Sequence, residues 1–318
     1  MKESDLERRF RVLHWQKDHE ENHRERLKGR AIGSQFEQRR SFASYVERLT
    51  DLFSNWVTGG TTNRLANDGT QNDLLQFILD KAKSNNDTVS TIAQRVLGLN
   101  FAAIHTTSVL FQTATHALTR LAEHPELLAP LRDEIEKSIA AEGGWTHAAL
   151  ANMWKLDSLL RETLRFHGIG LLEMGRKAMK DLTLRDGTFL PRGTIVHTAA
   201  HALHHDSAVL EHADVFDAFR YARMRTAGRG AGAKLQFSAT TTSPEYLPFG
   251  HGAHACPGRY FADNVLKAVI AHLILKYDMK LGGDGVRPAD VFIAMGVLPA
   301  PQSRVLFRPR KHGGDPGQ

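Results

Sequence analysis

One cysteine lies among glycines and a histidine in a stretch whose residue types and spacing suit metal binding. Cys256 is the sole cysteine of the 318 residues, and it is followed by Pro257 and then by an apolar helical pattern. Proline suits the first position of a helix, and the positive end of the helix dipole would stabilise a thiolate there. Gly250 and Gly258 carry no side chain and leave room for a large flat group. The stretch predicts a soft anionic metal ligand; the alternative is a small buried hydrophobe.

A long apolar helix is predicted over residues 88–123, because it stops at His124-Pro125, which cannot continue it. Such a helix would be more than about 50 Å long. At its centre, the small Ala102 and Ala103 let a flat group approach. Thr106 can donate back to the carbonyl of Ala102 and open the helix locally. The alternative is a packing seam of small residues.

A third pattern joins an acidic and a basic residue on one helix face. Glu162 and Arg165 are three positions apart on a helix predicted from Trp154 to Phe166. On a surface, such a pair contributes only a few tenths of a kcal/mol. Arg220 follows downstream in a Phe-Asp-Ala-Phe-Arg-Tyr segment.

The composition excludes several classes of protein. A hydrophobic content of 42% and a length of 318 residues fit a folded chain with one large core or two modest domains. One cysteine excludes an internal disulfide framework. No apolar run is long enough to span a bilayer, and the charged first 30 residues do not form a signal peptide. The formal charge of +6 alone does not indicate nucleic-acid binding, because the sequence contains no nucleic-acid recognition motif.

The elements that must position these groups are mostly helices, so we predict a mainly α fold with a small β portion. We predict a charged helical region with loops at residues 1–87, a core at residues 88–312 and a tail at residues 313–318. Asp186-Gly187 between apolar runs predicts a hairpin. Val291 to Leu298 and Arg304 to Phe307 predict a terminal hairpin. Three histidines within residues 201–205 have no carboxylate at ligand spacing, which argues against a metal there.

The cysteine stretch resembles a known signature. Phe-x-x-Gly-x-His-x-Cys-x-Gly, at residues 249–258, is similar to the haem-binding loop of the cytochrome P-450 monooxygenases, in which a cysteine thiolate binds the iron. The resemblance implies that Cys256 is the metal ligand, and that His254 and Arg176 contact the haem propionates. The implied haem-binding residues are Cys256, Phe249, Gly250, His254, Gly258, Arg176 and Ala102.

The long helix adds to the resemblance through Ala-Ala-Ile-His-Thr-Thr, which is similar to the family's oxygen-binding groove. It implies catalytic roles for Thr106, which would hydrogen-bond dioxygen, and for Thr107. His105 stands where the family usually has an acid, and a histidine can also relay protons near neutral pH.

The remaining motifs occur in family order. Glu-x-x-Arg and the second-arginine segment imply a buried network of Glu162, Arg165 and Arg220, with Ala218 in place of the usual proline; such a network is scaffold, with no direct part in the chemistry. An apolar segment at residues 169–174 resembles the family's substrate-lining segment. The expected substrate contacts are Ile104, Leu171, Leu172 and Val297.

Together the motifs imply the P-450 fold without its amino-terminal part, in a fungal secondary-metabolism-like branch. The implied activity is insertion of one oxygen atom from O2 into an apolar, terpenoid-like substrate, using haem b and electrons from NADPH through a reductase. An intact member would lie on the cytosolic face of the endoplasmic reticulum membrane through the missing anchor. This chain, without an anchor, would be cytoplasmic. The alternatives are isomerase, dehydratase or peroxygenase chemistry, a non-catalytic remnant and, more remotely, a basic nucleic-acid binder.

Overall fold

The computed structural model describes residues 11–12, 74–227 and 236–310, and among these the chain is mainly α with a small β portion. Two compact units are distinguished, Gln16–Ser108 and a second one made of Met1–Trp15 with Val109–Gln318. The boundary falls inside the longest helix, whereas the sequence places it at residues 87/88; the sequence-based domain limits stay a prediction. No helix in the described ranges has both the length and the apolar character that a membrane span requires.

The helices follow the sequence pattern closely. The long helix begins at Val89 and ends at Glu123, as its proline stop predicts. Gly168, with φ +52, ends the helix that carries Glu162 and Arg165. The helices are α1 (Leu74–Asn85), α2 (Val89–Glu123), α3 (Leu128–Ala141), α4 (His147–Asn152), α5 (Trp154–His167), α6 (Ala200–His204), α7 (Arg220–Ala227) and α8 (Arg259–Lys276), with 3-10 turns at Pro125–Leu127 and Gly252–His254.

The strands form small antiparallel sheets. They are β1 (Arg11–Val12), β2 (Glu173–Lys177), β3 (Leu182–Thr183), β4 (Phe189–Leu190), β5 (Ile195–Thr198), β6 (Tyr277–Leu281), β7 (Val291–Ile293), β8 (Gly296–Leu298) and β9 (Val305–Pro309). The pairs are β2 with β5, β3 with β4 and β7 with β8, and a three-stranded sheet has the order β1-β9-β6.

One predicted hairpin is present and another is wrong. β3 and β4 pair around Asp186-Gly187, where Gly187 has φ +87. The predicted terminal hairpin does not form, because β7 pairs with β8 and β9 pairs with β6. The reason is local: β7 and β8 are separated by only two residues, and β6 continues directly from α8 to lie beside β9.

The main core is formed largely by α3, α5 and α8, which pack against one another. Leu131, Ile135, Leu159, Ile270 and Ile274 have no exposed surface. Burying a side chain of this size contributes about 1.5–3 kcal/mol. The core therefore holds α5, which carries Glu162 and Arg165, and α8, which directly follows the cysteine stretch.

Candidate functional site

The cysteine loop, residues 247–258, is closed by its own backbone hydrogen bonds. Gly250 N–H donates to Leu247 O at 2.8 Å, and Cys256 N–H donates to Phe249 O at 2.8 Å. Gly250 has φ +65, a left-handed conformation that favours glycine. These contacts place the half-buried, free Cys256 thiol just before the first residue of α8.

An arginine that the sequence reasoning left without a role anchors the end of the loop. Arg259 Nη1 donates to Cys256 O at 2.7 Å, and Arg259 Nε donates to Thr240 O at 3.1 Å. Charge-assisted hydrogen bonds of this kind are stronger than neutral ones. Its position directly after Gly258 was visible in the sequence, but the partner Thr240 lies outside the motif.

The structure brings Glu162, Arg165 and Arg220 together in the interior. Arg165 donates to both carboxylate oxygens of Glu162, from Nε at 2.8 Å and from Nη2 at 2.7 Å. Arg220 Nε donates to Glu162 Oε1 at 3.3 Å. Glu162 is fully buried, and the two guanidinium groups are almost so. The remaining donors of Arg220 reach the carbonyls of Glu211, His212 and Val215, so the charges are well hydrogen-bonded.

A buried histidine connects this network to the cysteine loop. Arg165 Nη1 donates to the carbonyl of His204, and His204 Nε2 accepts the backbone N–H of Leu247 at 3.0 Å. Burial lowers the pKa of His204 to about 4, which keeps the ring neutral and its Nε2 able to accept. The sequence argues against a metal at this histidine and gives no local signal that points to Leu247.

The candidate oxygen-groove residues lie on α2 in the unit Gln16–Ser108. Thr106 Oγ1 donates to Ala102 O at 2.6 Å, the back-bond that the sequence predicts. Ala102 and Ile104 are exposed. The side chains of His105 and Thr107 lie outside what the structure describes, so their roles stay predictions.

The candidate substrate residues of the other unit differ in exposure. Leu171 is half-buried and Leu172 is exposed, whereas Val297 is only 1% exposed. Val297 N–H donates to Ile169 O at 3.3 Å, and Leu171 N–H donates to Met295 O at 2.8 Å. The structure therefore joins the 169–174 segment to the β7–β8 hairpin, and the substrate contacts of Leu171, Leu172 and Val297 stay predictions.

The comparisons with known proteins agree with this geometry. Residues 36–307 match the sequence profile of the family "Cytochrome P450". The chain belongs to the cytochrome P450 family.

Several curated relatives of this P450 chain come from fungi. It is 53% identical over 242 residues to cytochrome P450 monooxygenase CYP512U6 of Ganoderma lucidum, covering 76% of the chain and 46% of the relative. It is 42% identical to cytochrome P450 monooxygenase 103 of Postia placenta, covering 76% and 47%. It is 38% identical to ent-kaurene oxidase P450-4 of Gibberella fujikuroi, covering 80% and 50%. The chain spans about half the length of the curated relatives it matches.

The residues of the loop fit the haem that the P450 family binds. A Cβ at Gly252 would meet nothing within 4 Å, and a Cβ at Gly258 would lie 3.9 Å from Cys256 Sγ. The sulfur thus lies beside backbone that a flat ring can approach, and a thiolate is a soft ligand for iron. His254 is exposed. Arg176 is also exposed, and its Nη1 donates to Gly175 O at 2.8 Å.

A second buried cluster, His116, His167 and Asp290, brings its ligand atoms within 4.8 Å of one another. The two imidazole rings are stacked, with centroids 4.2 Å apart and planes only 7° from parallel. The nitrogen lone pairs lie in these nearly parallel ring planes, so those of His116 and His167 do not point at one ion. His167 Nδ1 instead contacts Asp290 Oδ2 at 2.6 Å, whereas neither ring nitrogen of His116 has a hydrogen-bond partner among the described residues.

Proposed function

We propose that the protein to which this chain belongs is a haem-thiolate monooxygenase, which inserts one oxygen atom from O2 into an apolar, terpenoid-like substrate. The observation that carries the proposal is Cys256, a single free thiol on a glycine loop directly before α8. When bound, haem b supplies the redox chemistry that activates O2, with electrons from NADPH through a reductase.

The chain's own residues would divide this work. Cys256 would bind the iron as thiolate, and Arg259 would hold its backbone in place. His254 and Arg176 would contact the propionates. The hydroxyl of Thr106 keeps its proton directed at Ala102 O, and it would act with His105 and Thr107 in handling protons. The network of Glu162, Arg165 and Arg220 would support the loop without contacting substrate.

The substrate class is inferred from apolar residues and from one relative. We propose Ile104, Leu171, Leu172 and Val297 as contacts, each on the ground of its own apolar side chain. One relative is named ent-kaurene oxidase. We propose a reductase partner and, for the intact protein, the cytosolic face of the endoplasmic reticulum membrane.

Replacing the ligand tests the proposal. Cys256→Ser should abolish the thiolate-type absorption band of the reduced carbon-monoxide complex, because a serine hydroxyl does not give the iron a thiolate ligand. Ala253→Ser is the matched control, since it adds the same hydroxyl to an exposed position of the same loop. A thiolate-type band that survives Cys256→Ser would refute the assignment. Turnover under isotopically labelled O2 separates oxygen insertion from isomerase or dehydratase chemistry, which would leave the product unlabelled.

A further inference from the structure

A methionine of strand β2 contacts the cysteine loop from outside. The backbone amide of His251 donates a hydrogen bond to Met174 Sδ at 3.2 Å. A Cβ added at Gly250 would lie 3.5 Å from the same sulfur. The thioether sulfur is a weak hydrogen-bond acceptor, so an otherwise apolar side chain makes one polar contact here. Met174 therefore meets the loop at the turn that precedes Cys256.

The backbone of β2 is distorted where this methionine lies. Met174 and Gly175 together face the single residue His197 of β5, which is a β-bulge. Met174 has φ +57, a conformation that is unfavourable for a residue with a Cβ. A Cβ at Gly175 would lie 2.7 Å from His197 Cε1, so that position accepts only glycine without rearrangement. Bulges re-aim side chains, and here the re-aimed side chain is the one that contacts the loop.

His251 has a second contact, made by its imidazole ring, so the contact with the Met174 sulfur involves its backbone amide alone. Its Nδ1 lies 3.0 Å from Thr242 Oγ1, while its amide is directed to Met174. The ring and the amide thus have separate partners. Removing the sulfur would free the amide alone and leave the ring contact in place.

We propose that Met174 is a positioning residue, whose thioether holds the His251 turn and thereby the geometry in which Cys256 is presented to a metal. The spectroscopic part of its test rests on the proposed function, but the hydrogen-bond part does not. Failure of the proposed function and failure of the Met174 contact can therefore be told apart.

The test compares two substitutions of Met174 in the full chain. Met174→Leu keeps the shape and removes the acceptor, so hydrogen exchange of the His251 amide should accelerate about three- to tenfold, the factor that one net hydrogen bond contributes. Met174→Gln has the same length and supplies a carbonyl oxygen, so it should restore the protection. Met179→Leu is the matched control, because Met179 lies in the following segment and is 75% exposed. After loading with haem, the thiolate-type band should weaken in the Leu variant and recover in the Gln variant.

Each result decides the matter. Folded Met174→Leu protein with unchanged His251 exchange overturns the proposal, and so does equal acceleration in the Leu and Gln variants. If Met174→Leu unfolds, a folded and protected Gln variant supports the acceptor role. Unfolding of both variants, with the control intact, overturns it and assigns Met174 to general packing. Restored amide protection in a chain that shows no thiolate band would contradict the function of Cys256 and leave the positioning contact intact.

Discussion

Helix α5 carries two buried carboxylates, Asp157 and Glu162, that are stabilised in different ways. Glu162 is the single acid of its cluster and faces two arginines, whose other donors reach backbone carbonyls. Asp157 accepts from Lys267 Nζ at 2.6 Å and from Arg225 Nη2 at 2.7 Å. That second cluster includes another acid, Asp263, which lies 2.8 Å from the same lysine.

The difference between the clusters determines where pH sensitivity resides. Asp263 Oδ1 is buried and has no hydrogen-bond partner among the described residues. Burial, which outweighs the attraction of Lys267, raises the pKa of Asp263 to about 6. Burial would also raise the pKa of Asp157, but the charges of Lys267 and Arg225 hold it below its ordinary value. One helix thus carries a cluster whose acid is fully hydrogen-bonded and a cluster that titrates.

The largest expected effect comes from breaking the first cluster. Glu162→Gln should lower the free energy of unfolding by about 3–5 kcal/mol, because it leaves two buried guanidinium groups without a counterion. Urea unfolding measures the change, and Glu245→Gln at an exposed position is the control. A loss below about 1 kcal/mol would show that the backbone carbonyls alone are enough for Arg165 and Arg220.

Asp157→Asn should cost less, about 2–3 kcal/mol, because Lys267 keeps Asp263 as a counterion. The same substitution should lower the pKa of Asp263, since the charge of Asp157 is one of the causes that raise it. Unfolding by urea and titration of the Asp263 carboxyl by NMR test the two effects. Asp133→Asn, in a surface pair with Lys137, is the control. An Asp263 pKa that does not move would mean that the two acids are not coupled.

The smallest expected effect is on the pH dependence of stability, and it comes from Asp263→Asn. The folded pKa of Asp263 lies above the ordinary value of 3.8, so its contribution to stability is complete below pH 3.8 and is lost as pH rises through about 6. Asp263→Asn cannot titrate. The difference in stability between wild type and this variant should therefore change between about pH 4 and 6 and be constant above that range. Urea unfolding at a series of pH values measures it; a difference that is flat with pH would contradict the raised pKa.

Buried histidines change stability with pH in the opposite direction to Asp263. They are present in both the wild type and the Asp263→Asn variant, so their contributions cancel in the difference between the two. Burial lowers the pKa of His116 to about 3 and that of His167 to about 4. A base with a lowered folded pKa favours the folded state at higher pH, so each contribution is lost as pH falls from about 6.5 toward those values.

Local patterns predicted much of this fold, and long-range pairings did not follow from them. The end of α2 came from a proline, which acts within a few residues, and α5 was predicted to within one residue of its observed end. The pairing of β9 with β6 was missed, because strand partners depend on the whole chain. The same limit applies to the site: the loop and its cysteine were visible as a motif. Its supports, Met174 and His204, lie 77 and 43 positions away from the amides they accept.

The link from Arg165 through His204 to Leu247 has a consequence for the order of folding. Its two contacts span 39 and 43 positions, and each closes a long stretch of chain. The cysteine loop can gain this support only after α5 and α6 have docked, and Cys256 leaves the ribosome after both. If Cys256 binds haem as we propose, haem binding is therefore expected to follow the docking of α5 and α6 during biosynthesis.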